Sequence, residues 1–342
     1  MDYKTGRMLL NLLDGYPSVS ILGMCKNAGK TTVLNRLISE SAGSDALAIT
    51  SIGRDGETAD VVTGTKKPSI YIREGMMFAT ATGLLPQCDV TKEILFTTGF
   101  YTPMGEVVVL RALSDGNVQL AGPSMTEQLM KLKKVFLSFG AGRIFTDGAV
   151  SRKTLCDPGI CDAAILCAGA SCNKDMSEVI KDAAFFTSIF TLDEVREDEI
   201  PGGAKLFLRR SGSWEAAADS DAVDEVIRKE HFDHTRRLYM NGALTDSFLK
   251  KLFMAGEKGR GVEITVHDAS KILLSRAVYE KFTRIKGRIT VFRPFRLAAV
   301  AINPFSAYGH HFNKEAFLRQ MQSAVSIPVI NVEDLPDVGY RF

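Results

Sequence analysis

Short apolar runs alternate with amphipathic stretches along the first half of the chain, and each pair predicts a strand followed by a helix. The apolar run at residues 19–24 predicts the first strand, and residues 30–39 have the spacing of an amphipathic helix behind it. A second strand is expected at residues 46–52. This alternation is typical of a mostly parallel sheet covered by helices. It predicts further strands at 118–121, 143–146 and 163–168, and helices at 123–138 and 174–187.

The pattern changes between residues 69 and 113, where β-rich runs follow one another without a gap long enough for a helix. Gly, Pro and polar residues separate these runs, as in hairpin connections. The segment 69–113 therefore predicts an antiparallel meander inserted into the α/β core. The β-rich runs are residues 69–72, 78–82, 94–98 and 106–110.

A polar, acidic stretch at residues 211–230 precedes a second region of alternating strands and helices. We therefore predict a nucleotide-binding domain at residues 1–210, a linker at 211–234 and a carboxy-terminal α/β lobe at 235–342. The lobe would be either a separate domain or further strands on the first sheet. Its expected strands are 238–240, 263–267, 298–302 and 329–332, and its expected helices are 246–254, 275–282 and 314–324.

The first strand leads through a loop containing Gly-Lys-Thr-Thr into the first helix, and this order predicts a phosphate-binding P-loop. Backbone N–H groups at the start of such a helix face a phosphate, and the helix dipole favours its negative charge. We expect Lys30 to reach the β- and γ-phosphates of ATP and the Thr31 hydroxyl to bind Mg²⁺. The usual spacing would place the first glycine at position 24, whereas it stands at Gly23. The expected nucleotide-binding residues are Gly23, Lys26, Asn27, Ala28, Gly29, Lys30, Thr31 and Thr32.

Two aspartates follow strands that should lie beside this loop. Asp147 ends the strand that begins at Arg143, where a carboxylate of the Mg²⁺ shell is expected at the carboxyl edge of the sheet. Asp55 follows the second strand, where it would bind Mg²⁺ or position the attacking water, or form a polar surface turn with Arg54. The predicted catalytic residues are Lys30, Asp55 and Asp147, and the predicted metal ligands are Thr31, Asp55 and Asp147.

The sequence favours ATP over GTP as the nucleotide, because the motif that reads guanine is out of register. A GTPase carries Asn-Lys-x-Asp after a late strand, but Asp175 follows Asn173-Lys174 one position too early, so this segment predicts a helix amino terminus. Asn303-Pro304 follows another predicted strand and would either line a base pocket or form a turn.

The charge and composition of the chain argue against nucleic acid and membranes as partners. Lys and Arg number 42 against 40 Asp and Glu, so no global basic field favours nucleic acid or an anionic membrane, although a local patch stays open. No apolar run reaches the length of a membrane span. The first fifteen residues lack the apolar region and cleavage site of a signal peptide, so we expect a cytoplasmic protein.

The six cysteines, without a secretory signal, give no reason to expect a disulfide framework. Cys156 and Cys161 are separated by four residues rather than the two of a zinc knuckle. We expect structural or incidental cysteines, with a metal or redox site as the alternative.

The strand with its P-loop, the Asp147-Gly148 strand end and the Asn303-Pro304 pair resemble the P-loop class that includes dethiobiotin synthetase, the molybdopterin-guanine dinucleotide accessory protein and the metallochaperone GTPases. The resemblance covers chiefly the first half of the chain. It implies an α/β fold with a mostly parallel P-loop core, carrying the β insertion and the carboxy-terminal lobe. Many of these proteins have a lysine near the start of the loop, but Cys25 stands at that place, so dimerisation through this lysine is not implied.

A second resemblance is to the P-loop accessory proteins of lysine 5,6-aminomutase in amino-acid-fermenting bacteria, described as a reactivase subunit. It is carried by residues 26–32, 50–57, 122–124 and 147–153. It implies that the chain uses ATP to help replace damaged adenosylcobalamin on this cobalamin-dependent aminomutase, together with a MutS-like ATPase.

Two classes of function therefore stay open. In the first, the chain is an ATP-hydrolysing accessory protein whose additional lobe and β insertion engage another protein. In the second, it is an ATP-dependent small-molecule kinase or ligase resembling dethiobiotin synthetase. Such an enzyme needs a polar pocket facing the γ-phosphate, for which the sequence offers Arg54, Asp55, Glu57 and residues 99–106. No acceptor site is recognisable there, so the accessory function is preferred.

Overall fold

The structure is a computed structural model, and it describes residues 8–41, 46–53, 70–150, 153–197, 201–210, 212–216, 237–254 and 260–335 of the 342-residue chain. The chain divides into two compact units. The first comprises Met1–Leu155, Gly159–Ala184 and Leu297–Phe342, and the second comprises Cys156–Pro158 and Phe185–Arg296.

In chain order the described strands are β1 (Ser18–Gly23), β2 (Leu47–Ser51), β3 (Ile70–Ile72), β4 (Met77–Ala81), β5 (Lys92–Thr102), β6 (Gly105–Ala112), β7 (Gly116–Val118), β8 (Arg143–Ala149), β9 (Ala163–Gly169), β10 (Leu206–Arg210), β11 (Ser213–Ala216), β12 (Arg237–Met240), β13 (Leu244–Thr245), β14 (Glu263–Asp268), β15 (Ile272–Leu273), β16 (Arg288–Arg293), β17 (Arg296–Asn303) and β18 (Val329–Asn331).

The α-helices connect these strands. They are α1 (Met8–Asn11), α2 (Lys30–Glu40), α3 (Thr126–Ser138), α4 (Met176–Phe190), α5 (Asp246–Met254), α6 (Arg276–Arg284) and α7 (Lys314–Ala324). Among the described helices, none combines the length and apolar character needed to cross a membrane.

The first unit is built on a nine-stranded sheet with the order β18-β17-β9-β1-β8-β2-β4-β6-β5. β1 lies in its middle and is parallel to both of its neighbours, β8 and β9. β2 is parallel to β8 and to β4. A large, mostly parallel sheet with helices confirms the α/β class predicted from the strand–helix alternation.

The antiparallel pairing predicted for the β insertion is present among β4, β5 and β6, and these strands continue the main sheet. β4 joins the main sheet in parallel with β2, because its five residues are all buried and need cover on both faces. β6 then pairs antiparallel with β4, and β5 with β6, so the hairpin extends one edge of the sheet. β3 and β7 pair with each other in a separate two-stranded sheet.

The segment 235–342 is divided between the two units, and the alternative that it adds strands to the first sheet is confirmed for its last two strands. β17 and β18 belong to the sheet of the first unit, where they pair in parallel. Residues 297–302 of β17 are all buried, which suits a parallel strand covered on both faces. The chain therefore leaves the first unit after Ala184 and rejoins it at Leu297.

Helices cover the two faces of the central strands. Phe145 of β8 packs in one cluster with α2 residues, whereas the preceding Ile144 packs in another cluster with Leu132 and Phe136 of α3. Successive residues of a strand point to opposite faces, so α2 and α3 lie on opposite sides of the sheet. β1, buried at all six positions, is enclosed between them.

The second unit has its own five-stranded sheet, in the order β11-β10-β12-β14-β16. β12, β14 and β16 are parallel, and β10 runs antiparallel to its two neighbours. Phe207, Tyr239 and Phe292 form an aromatic core cluster against which Trp214 packs.

Candidate functional site

The candidate phosphate loop, residues 23–32, leaves the sheet at the carboxyl end of its central strand. Gly23 is in register with Ala149 of β8 and with Cys167 of β9. The N–H of Met24 donates to the Cys167 carbonyl at 3.0 Å, and the N–H of Val150 donates to the Gly23 carbonyl at 2.9 Å. Both neighbouring strands thus fix the point where the loop begins.

Two left-handed residues turn the loop into α2. Asn27 has φ 59° and Gly29 has φ 100°. Gly29 immediately precedes the helix, and its carbonyl accepts the N–H of Val33 at 3.1 Å. Glycine is favoured here because it adopts positive φ without a Cβ penalty. Thr31 and Thr32 consequently lie in the first turn of α2, where free N–H groups and the helix dipole favour an anion.

The Lys30 side chain lies across Gly23. A Cβ built on Gly23 would come within 2.8 Å of Lys30 Cδ and 2.9 Å of Lys30 Nζ. Any larger residue at position 23 would therefore displace the lysine. This contact accounts for a glycine at position 23.

Asp147 lies beside the loop, on the same edge of the sheet. It is in register with Ile21 of β1 and with Ser51 of β2, and its carbonyl accepts the N–H of Ile52 at 2.9 Å. Burial raises the pKa of Cys167 to about 12, while the Lys30 ammonium lowers it and the Asp147 carboxylate raises it. The predicted lysine and carboxylate therefore both act electrostatically at the carboxyl end of β9.

Other segments singled out in the sequence meet at this edge. The N–H of Gly122 donates to Ser51 Oγ at 3.2 Å, and the N–H of Gly53 donates to the Pro123 carbonyl at 3.1 Å. A Cβ on Gly122 would collide with the Ser51 carbonyl oxygen, so this approach requires glycine. Asp55, Arg54 and Glu57 lie outside the described residues.

The end of β17 supplies a side chain that packs against the loop. A Cβ on Gly29 would lie 3.1 Å from Asn303 Cβ and 3.5 Å from Asn303 Nδ2. Asn303 Oδ1 accepts the N–H of Phe305 at 3.0 Å, which orients the amide nitrogen toward the loop. A small crevice adjoins this contact; its lining includes Gly29, Thr32, Asn303, Asn331 and Glu333.

Sequence reasoning missed Asn331 and Glu333, although Asn331 lies within the strand predicted at 329–332 and ends β18. It was correct about Asp175, which caps a helix: Asp175 Oδ1 accepts the N–H of Ser177 at 2.8 Å, at the start of α4. Hydrogen bonds from the Ser177 side chain and from its backbone N–H lower the pKa of Asp175.

The expectation that the cysteines form no disulfide is wrong for one pair. Cys25, in the loop, is bonded to Cys172, which ends the short 3-10 helix Ala170–Cys172 after β9, and their Cα atoms are 5.3 Å apart. A separation of 147 residues conceals this pairing in the sequence, but β1 and β9 are neighbours in the sheet. The four remaining cysteines are buried and form no disulfide, and the described part of the chain has no group of three or more His, Cys, Asp or Glu suited to a metal ion.

Comparisons of the chain with protein-family models, with curated proteins and with solved structures give no match.

Proposed function

We propose that the chain binds ATP with Mg²⁺ at residues 23–32 and hydrolyses it as an accessory protein. The observation that carries the proposal is the packing of Lys30 across Gly23, at the mouth of a loop between a central parallel strand and a helix. Because Gly23 has no side chain, Lys30 can lie there, next to the amino terminus of a helix. A cation in this position can bind the phosphates of a nucleotide.

Each residue has a distinct role in this proposal. Lys30 neutralises phosphate charge, and the backbone N–H groups of the loop and of the first turn of α2 donate to phosphate oxygens. Mg²⁺, when bound, offsets the negative charge that moves toward the leaving oxygen during transfer. The Thr31 hydroxyl and the Asp147 carboxylate are the oxygen ligands that the described residues offer to the metal, and Asp55 is proposed as a third.

The base is proposed to lie on the surface beside Gly29 and Asn303, next to the small crevice. The Asn303 amide nitrogen faces the loop and is a donor for a ring nitrogen of a purine. Asp175 caps a helix and is therefore not placed to pair with guanine. This supports ATP, and not GTP, as the proposed ligand. ATP is expected to displace a labelled ATP analogue at lower concentration than GTP does, and the reverse order would contradict the base assignment.

The test of the site is Lys30→Ala, compared with Lys131→Ala on the exposed surface of α3. Calorimetric titration with the magnesium complex of ATP should give loss of binding for Lys30→Ala and wild-type affinity for Lys131→Ala. Circular dichroism should show that both variants are folded. Undiminished affinity of Lys30→Ala would overturn the proposed site.

The partner proposal is a cobalamin-dependent aminomutase and a MutS-like ATPase, and it is based on the resemblance to the reactivase subunit. Its support is that the described parts of three of the four resembling segments meet at one edge: residues 50–53 contact both residues 122–123 and Asp147. Adding the purified aminomutase and ATPase should raise the ATP hydrolysis rate. An unchanged rate in their presence would contradict this partner.

A further inference from the structure

The candidate phosphate loop is covalently tied to a second segment of the first unit. Cys25 is the third residue of the loop, and its disulfide partner Cys172 lies after β9. Cys172 lies outside the loop, in the segment after β9. The disulfide therefore adds a constraint on the backbone between Gly23 and Gly29.

The turn that holds Cys172 is itself anchored. His310 Nε2 lies 2.8 Å from the Ala170 carbonyl, and the N–H of Ala307 donates to Ser171 Oγ at 3.1 Å. The turn is thus hydrogen-bonded to the segment that follows β17. A loop joined to this turn cannot adjust at Cys25 unless the turn moves as well.

The two bonded cysteines are also the accessible ones among the six. Cys25 and Cys172 are each half-buried, whereas Cys88, Cys156, Cys161 and Cys167 are buried thiols outside any disulfide. Burial raises the pKa of the Cys161 and Cys167 thiols to about 12, so both stay protonated near neutral pH. Since the thiolate is the reactive form, exchange chemistry is directed to the Cys25–Cys172 pair.

We propose that the Cys25–Cys172 disulfide is a reversible lock on the candidate phosphate loop, so that the oxidised chain binds the magnesium complex of ATP more weakly than the reduced chain. This inference rests on the nucleotide site proposed above. A loop that closes on phosphates must turn several backbone N–H groups toward one anion. A tie at its third residue limits that rearrangement, and reduction removes the tie.

The Cys25–Cys172 bond is broken and formed by thiol–disulfide exchange with a small dithiol or disulfide. In reduction, a dithiol gives two electrons and two protons to the Cys25 and Cys172 sulfurs, which become thiols, and it closes to its own disulfide. In oxidation, the thiolate of one cysteine attacks a low-molecular-weight disulfide and releases one thiol. The other cysteine then attacks the mixed disulfide, which forms the Cys25–Cys172 bond and releases the second thiol.

The first experiment tests whether the Cys25–Cys172 disulfide forms and can be reduced, and it uses no nucleotide. The native chain is treated with glutathione disulfide or with dithiothreitol, and its accessible thiols are alkylated and located by peptide mass spectrometry. Alkylation of Cys25 and Cys172 only after dithiothreitol is the expected result. Alkylation of both after glutathione disulfide as well would overturn the inference and leave the proposed nucleotide site untouched.

The second experiment measures affinity for the magnesium complex of ATP in both states. The reduced wild type should bind about tenfold more tightly than the oxidised wild type. Cys172→Ser is the matched control, because it removes the bond while leaving residues 23–32 intact, and it should bind like the reduced wild type in both buffers. Since the main comparison uses one wild-type protein, it holds even if the variant fails to fold.

Thermodynamic linkage gives a third readout. If the reduced chain binds about tenfold more tightly, saturating nucleotide must raise the midpoint potential of the pair by about 30 mV. A redox titration with and without the magnesium complex of ATP measures this shift. Equal affinities with no shift, or tighter binding by the oxidised chain, overturn the lock, whereas absence of binding in both states overturns the proposed function and the lock together.

Discussion

Gly23 and Lys30 depend on each other at the candidate site. The lysine stem and amine occupy the volume that a side chain at position 23 would fill. Gly23 lies at the end of β1 and is not among the glycines with positive φ, so its role is to leave space and not to permit an unusual turn. Gly29 differs, since its φ of 100° requires glycine for the backbone itself.

Gly23→Ala should therefore weaken nucleotide binding without unfolding the chain. The added methyl would meet the flexible end of Lys30, which can move aside but then no longer lies across the loop. We expect ATP affinity to fall by at least about tenfold, with an unchanged circular dichroism spectrum. Gly202→Ala is the matched control, because a Cβ there has no neighbour within 4 Å. Equal affinities of the two variants would show that the Lys30 position is unimportant.

Asp147→Asn should affect hydrolysis more than binding. A carboxylate that organises Mg²⁺ acts most strongly when charge moves toward the leaving oxygen, so its loss raises the barrier more than it weakens the ground state. We expect turnover to fall by at least about tenfold, or roughly 1.4 kcal/mol, with a smaller change in ATP affinity. A phosphate-release assay measures the rate, with and without the proposed partners. Wild-type turnover under both conditions would make Asp147 a structural residue.

At the scale of elements, the apolar runs predicted most of the fold. Residues 246–254 were expected as a helix and form α5 with the same bounds, and the strand at 163–168 is extended by one residue in β9. These elements are specified locally, because residues 246–254 have the apolar spacing of a helix and β9 is an uninterrupted apolar run of strand length. β11 was hidden within an acidic segment, where its pairing with β10 outweighs the polar composition.

The candidate site was predictable only where its residues are close in sequence. Lys30 and Thr31 follow the strand directly, so their grouping could be inferred from the order of elements. Asn303 and Cys172 reach the loop through the order of strands in the sheet, which apolar spacing does not specify. The sequence therefore indicated the candidate phosphate loop and Asn303 separately, but neither the Cys25–Cys172 disulfide nor the contact between Asn303 and Gly29.

Glu40 joins α1 to α2 and gives a test of packing between elements. Its carboxylate is fully buried and accepts the Leu10 N–H at 2.7 Å. It also forms an ion pair with Arg36 at 2.6 Å, and the Arg36 side chain is only 10% exposed. Glu40→Ala leaves the guanidinium without its buried carboxylate partner, although alanine is the better helix former. We expect a loss of about 3 kcal/mol in the free energy of unfolding, measured with denaturant.

The matched control for this variant is Glu93→Ala. Glu93 pairs with Arg111 across β5 and β6, and their side chains are 44% and 36% exposed. An exposed pair contributes less than about 1 kcal/mol, so this variant should be nearly neutral. Equal losses for the two variants would contradict the assignment of stability to the buried Glu40 contacts.

At the scale of the whole molecule, two units with separate sheets give the chain two cores. The candidate site draws its described residues from the first unit: the loop after β1, Asp147 on β8 and Asn303 on β17. The single tryptophan, Trp214, packs in the aromatic cluster of the second unit. Its fluorescence therefore reports on one core, while calorimetry reports on both.

This arrangement predicts that nucleotide stabilises the two units unequally. A ligand that binds only the folded first unit adds about 2.7 kcal/mol at a concentration of about 100 times its Kd. That corresponds to a rise of roughly 5–10 °C in the Tm of a unit of this size. We expect this rise in the calorimetric transition on adding the magnesium complex of ATP, and a much smaller change in the Trp214 fluorescence midpoint. Lys30→Ala should abolish the calorimetric rise, and an equal shift of both signals in the wild type would mean that the two cores unfold as one cooperative body.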